Sequence, residues 1–128
     1  MTSAKQMLVA SEILINNKHE VTLPKHTEAY ADNLIPEETS SESTKNKIEQ
    51  DLIRDYFEKI KSADAILVVN VDKRGIENYI GGNAFLEMGF AHCLNKKIFI
   101  MNSVPSMIYT DEILAMQPTV LKGDLSRI

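Results

Sequence analysis

A chain of 128 residues with 44% apolar and 25% charged residues can bury one hydrophobic core but not two, so a single domain over residues 1–128 is expected. The formal charge of -4 excludes a nucleic-acid polymer as the main partner, because such binding depends on lysine and arginine neutralising phosphates; a small anion held by backbone amides stays open. The single Cys93 cannot close an internal disulfide, no apolar run approaches the ~20 residues that span a bilayer, and no secretory pattern opens the chain, so a cytoplasmic protein without membrane partners is expected.

Met7, Leu8, Ser11, Leu14 and Ile15 recur at helical spacing, and Ser3 followed three residues later by Gln6 fits a capping box, so a helix starts almost at once. Glu20 to Leu23 alternates and stops at Pro24, as a strand would. Pro36 to Lys47 is rich in Glu, Ser and Thr and reads as a mobile loop. A second helix follows, with Ile48, Leu52, Ile53, Tyr56, Phe57 and Ile60 on its apolar face.

Ala65 to Val69 is a continuous apolar run of the kind buried on both faces of a parallel sheet. Gly75 to Gly82 reads as a loop, Ala84 to Leu94 as a helix and Lys97 to Met101 as another buried strand. Thr110 is placed to cap a short helix through Met116, and Thr119 to Leu121 reads as a last strand beyond Pro118. This βαβ rhythm predicts an α/β fold with helices on both faces of a parallel sheet and a binding crevice beyond the carboxyl ends of the strands. The end of the Ala65 to Val69 strand, the loop from Asn70 to Gly82 and the next helix start would form one rim. A leading helix with no strand before it is odd in this scheme and predicts a missing N-terminal strand.

The chemistry-bearing stretch is Gly81-Gly82-Asn83-Ala84-Phe85-Leu86-Glu87-Met88-Gly89-Phe90. The glycines permit positive φ and close backbone approach, Asn83 is a good N-cap, and a helix start offers free amides to an anion or sugar oxygen. Glu87 lies about one turn in, among apolar neighbours, where a carboxylate is either held at a site or tied into a structural ion pair. Gly89 suggests tight helix packing or a ligand near the backbone. Gly81-Gly82 taken alone is also compatible with an ordinary turn, and Tyr79 with either base stacking or loop anchoring.

With Ser62-Ala63-Asp64-Ala65-Ile66-Leu67-Val68-Val69, the glycine approach to Glu87-Met88-Gly89-Phe90-Ala91, and Lys96-Lys97-Ile98-Phe99-Ile100, the chain resembles the nucleoside 2-deoxyribosyltransferase superfamily, which includes the 2'-deoxynucleoside 5'-monophosphate N-hydrolases. The resemblance implies a flavodoxin-like (Rossmann-like) sheet, no cofactor, a homo-oligomer, and a nucleoside or nucleotide as small-molecule substrate. It implies Glu87 as the nucleophile at the anomeric carbon, with a second acid assisting departure of the base. The run Ile48-Glu49-Gln50-Asp51-Leu52 resembles the hydrolases at that acid, while Asp55 fits the spacing to Asp64 better, so both stay open beside a reading of each as a solvated surface charge. Gly81, Gly82, Asn83, Asn70 and Tyr79 would face the ligand.

The family opens with a strand ending in a Gly-Ser loop on the substrate, whereas this chain starts Met1-Thr2-Ser3, so only Ser3 stands for that loop. Reduced turnover and a non-catalytic nucleotide-binding or interaction module are the corresponding alternative. His19, His26, His92 and Cys93 lack metal-ligand spacing: the first two are expected exposed, the last two packed against the helix, and no metal is expected.

Overall fold

The apolar runs at 65–69 and 97–101 form the centre of the fold. The computed structural model describes residues 3–24, 27, 44–45, 48 and 51–128. In chain order these build α1 (Ser3–Asn16), α2 (Leu52–Ser62), β1 (Ala65–Val68), β2 (Val71–Lys73), β3 (Ile76–Tyr79), α3 (Gly82–Cys93), β4 (Lys97–Ile100), α4 (Thr110–Ala115), β5 (Thr119–Val120) and a short 3₁₀ turn (Leu125–Arg127). The fold is α/β. β1, β4 and β5 make a parallel sheet in that order, with Ala65 opposite Lys97, Val68 opposite Ile100, and Phe99 opposite Thr119.

Alternation along the strands divides the core in two. Val68, Ile98 and Ile100 pack with Ile60, Met88, Ala91 and Ile113 from α2, α3 and α4, whereas Phe99, with Ala65 and Leu67 beside it, packs against Ala10 and Leu14 of α1 and Leu125 of the 3₁₀ turn. Helices therefore cover both faces, as the sequence pattern predicts. β4 lies in the middle with Ile98 to Ile100 buried, but among the described residues β1 is an edge strand, and Ala65 to Leu67 are only half-buried. The expectation that both runs lie buried on both faces holds for β4 alone.

Several boundaries differ from expectation for identifiable reasons. Gly75 to Gly82 is not a plain loop, because β2 and β3 form an antiparallel hairpin. Arg74 and Gly75 both have positive φ, 53° and 74°, which gives the two-residue turn that matches strand twist. A bulge then places Asn78 at φ 57°, its amide donating to Asp72 Oδ1 at 2.9 Å. Ile48 does not continue into α2: Asp51 stands at φ 50°, ψ 43°, breaking the helix, and Ile48 is 75% exposed. Thr44 and Lys45 are helical and exposed, while the remaining residues of the loop expected at Pro36 to Lys47 lie outside the described residues.

Glu20 to Leu23 forms no strand. Ser3 is already helical and does not act as the expected capping residue: its hydroxyl lies against Met7 Sδ (3.8 Å) and Val69 O (3.5 Å). The buried stripe of α1 is Ala10, Ser11 and Leu14, which turns Ile15 outward. Thr110 likewise lies inside its helix, where its hydroxyl donates to Pro105 O and Met107 O and ties down the preceding turn.

Candidate functional site

A cleft of about 670 Å³ runs along the open edge of β1. Its floor comes from α1 through Met7, Ala10 and Leu14, its far wall from residues 18–24, and its roof from Tyr56, Lys59 and Ile60 of α2 with Glu87 of α3. Glu87 reaches it because Gly81 caps α3, so position 87 falls on the turn facing α2, while Met88 and Ala91 anchor the helix in the core. Phe57 and Phe90 lock the same two helices edge to face, with ring centroids 5.3 Å apart.

Burial pushes the Glu87 carboxyl up to about 7, and the positive charge of Lys59 works against that rise. Lys59 Nζ also pairs with Asp55 Oδ2 at 3.1 Å, both side chains about one-third exposed. The cleft roof thus carries a desolvated carboxyl, an ammonium and a second carboxylate on two packed helices. At neutral pH the first of these is divided between acid and anion, a state suited to either proton donation or nucleophilic attack. Sequence reading did not single out Lys59; its signal was the i,i+4 spacing from Asp55 and its place beside Ile60 at the margin of the apolar stripe.

Of the expected site residues, the structure brings Glu87 and Asp55 to this region, the second through Lys59. Asp51 sits at the exposed start of α2 and pairs with Arg54 at 3.2 Å. Ser3 stands at the carboxyl end of β1, its hydroxyl on the Val69 carbonyl. Gly81, Gly82, Asn83, Tyr79 and Asn70 belong to a separate neighbourhood and do not line the cleft. Asn83 lies in the first turn of α3 rather than at its cap, because the helix begins at Gly82. Neither Gly81, at φ -75°, nor Gly82 uses a positive φ, and a Cβ on Gly82 or Gly89 meets nothing within 4 Å, so close approach does not explain those glycines.

That second neighbourhood is knitted together by its own groups. Asn70 is 1% exposed; its amide nitrogen donates to the carbonyls of Asn78, Asn102 and Ser103, and its Oδ1 accepts the Asn102 amide at 2.9 Å. Asn102 Nδ2 returns a bond to Asn70 O at 2.7 Å. Asn70 therefore joins the end of β1 to the hairpin and to the loop after β4. The Tyr109 hydroxyl donates to Ile80 O while its ring stacks on Phe85, centroids 4.2 Å apart. Burial, then the neighbouring Tyr79, raises the pKa of that hydroxyl, opposed by Arg74, whose guanidinium lies 5.8 Å from the Tyr79 ring centre.

His19 is exposed as expected, His92 and Cys93 are exposed rather than packed, and His26 lies outside the described residues. Among the described residues no group of three His, Cys, Asp or Glu is placed to hold a metal ion, and no helix is long and apolar enough to cross a membrane. No protein-family model, no curated protein and no solved structure matches the chain.

Proposed function

We propose that this domain is a flavodoxin-like member of the nucleoside 2-deoxyribosyltransferase superfamily that cleaves or transfers the N-glycosidic bond of a nucleoside or deoxynucleoside 5'-monophosphate, in the cytoplasm and as a homo-oligomer. The observation that carries the reading is Glu87: a carboxyl pushed up to about 7 by burial, on the roof of a cleft, with Lys59 close enough to favour its ionised form. Ionised, Glu87 attacks the anomeric carbon; the carbon–nitrogen bond breaks, and the base departs with a proton from the Asp55–Lys59 pair. Water or a second base then attacks the glycosyl ester, frees Glu87 and returns the proton to that pair. Lys59 also offers a cation to a 5'-phosphate.

The test is chromatographic detection of free base over a panel of nucleosides and 5'-monophosphates. Release that disappears in Glu87→Gln supports the reading; release undiminished in that variant removes Glu87 from the chemistry. A non-catalytic nucleotide-binding module of the same fold is the second reading, favoured because Tyr79, Gly81, Gly82 and Asn83 stand away from the Glu87 cleft. Nucleotide binding by the wild-type chain without any base release would select it.

A further inference from the structure

The apolar stripe of α1 has one polar member. Met7, Ala10, Ser11 and Leu14 recur at helical spacing and together form the floor of the cleft. Among the described residues three polar side chains are buried, and two of them are hydrogen-bonded: Asn70, as above, and Thr27, whose hydroxyl donates to Pro24 O at 2.7 Å. Ser11, 8% exposed, has no hydrogen-bond partner among the described residues. It does not turn back onto its own helix, as Ser62 does when its hydroxyl donates to Glu58 O at 3.1 Å. Its oxygen is not sealed inside the core either, so it opens on the cleft. Folding gives no reason for a serine here, because alanine is the better helix former and leaves no hydroxyl to desolvate.

We infer that Ser11 is a specificity-determining residue that hydrogen-bonds the edge of the substrate's heterocyclic base, with the ring lying on Met7, Ala10 and Leu14. The inference rests on the N-glycosidic reading above and deepens it, placing the base on the floor of the cleft and the sugar at its roof. A base is the part of such a substrate that matches this floor, since its ring faces are apolar and its hydrogen-bonding atoms lie at the edge, in the ring plane. A sugar or phosphate laid there would turn hydroxyls or charge onto thioether and hydrocarbon without partners. Glu87 and Lys59 meet the same cleft from the roof, and the anomeric carbon that Glu87 attacks is one bond from the base. A serine hydroxyl both donates and accepts, so Ser11 fixes which side of the base is touched, and analogues identify the atom.

The test is equilibrium binding, which needs no turnover, by the full chain carrying Glu87→Gln so that no ligand is consumed. Calorimetric titration with deoxyadenosine, deoxyguanosine, deoxycytidine and thymidine identifies the best-bound base. It is then repeated with analogues of that nucleoside in which a single ring nitrogen is replaced by carbon or a single exocyclic group is removed. Adding Ser11→Ala is expected to weaken the best-bound nucleoside about tenfold without lowering Tm. The analogue that lacks the contacted atom is expected to lose about tenfold on the parent chain and nothing further on Ser11→Ala, while the others lose equally on both. Unchanged affinity in Ser11→Ala, equal losses on both chains for every analogue, a lowered Tm in Ser11→Ala, or no binding of any of the four nucleosides would each overturn the inference. The N-glycosidic reading fails separately. Ser11-dependent binding by a wild-type chain that releases no base sinks that reading and keeps Ser11 as the base contact, whereas base release that needs Glu87 but is indifferent to Ser11→Ala keeps the reading and removes Ser11.

Discussion

Asn70 and Glu87 are both polar side chains taken out of water beside the same strand, and the fold treats them in opposite ways. Asn70 is bonded on both ends of its amide, to the β2–β3 hairpin and to the loop after β4, and has no group left to offer. Glu87 faces a cleft, and burial raises its pKa with only the Lys59 charge opposing. A buried polar group that is fully bonded holds a structure together, whereas one that is desolvated keeps an unsatisfied preference for the neutral form, which chemistry can use. The contrast predicts that the two positions fail differently when changed.

The largest effect is expected at Glu87. Glu87→Gln keeps the side-chain volume and removes the proposed nucleophile, so base release should fall by at least on the order of 10³-fold with the fold intact. Asn70→Ala should do the reverse: it strands the Asn102 amide and the carbonyls of Asn78, Asn102 and Ser103 and is expected to cost about 3 kcal/mol of stability in urea unfolding. Its kcat, measured well below the midpoint of unfolding, should change far less than that of Glu87→Gln. An Asn70→Ala chain of wild-type stability would break the comparison, because the bonded network would then contribute nothing measurable.

A somewhat smaller effect concerns pH. The folded-state pKa of Glu87 lies above that of an unfolded glutamate, so the folded chain holds the extra proton between about pH 4 and 7. Its contribution to stability is complete below that interval and is lost as pH rises through 7. Glu87→Gln stays neutral throughout, so it should match the wild type near pH 4 and exceed it at pH 8 by about 2 to 3 kcal/mol. A pH-independent difference between the two chains in thermal melts would show that Glu87 is not desolvated. The proposed base release should move the opposite way, rising with pH to a plateau above about 7 as Glu87 ionises.

How far the sequence foretold these two regions follows from what each is made of. β4 and the core face of α3 were legible because apolar residues at the right period have few other places to go. The β2–β3 hairpin was not, since Asp72, Lys73 and Glu77 are exposed and the turn is made by Arg74 at positive φ, a conformation its residue type does not advertise. The same holds for Asp51, whose left-handed backbone ends the helical stripe before it reaches Ile48. Glu87 was readable from its apolar neighbours, but Lys59 and the cleft beside β1 depend on how α1, α2 and β1 meet, which no local pattern records. Asn70 was read as a ligand contact from its place at a strand end; its bonds to Asn78, Asn102 and Ser103 come from chain positions that only the fold brings together.

The finest test separates the two aspartates on α2. Asp51 is 57% exposed in its side chain and meets an Arg54 that is 85% exposed, so Asp51→Asn should change stability by no more than about 0.5 kcal/mol, the more so because asparagine also tolerates the left-handed backbone there. Asp55 differs because its partner Lys59 also acts on Glu87. In Asp55→Asn the Lys59 ammonium loses a competing anion, its pull on Glu87 strengthens, and the Glu87 carboxylate is favoured. The midpoint of the pH–rate profile should therefore move below 7 in Asp55→Asn and stay in place in Asp51→Asn, with turnover reduced only in the former. A midpoint that moves equally in both variants, or in neither, would uncouple the Asp55–Lys59 pair from Glu87 and leave Asp55 as a surface charge like its neighbour.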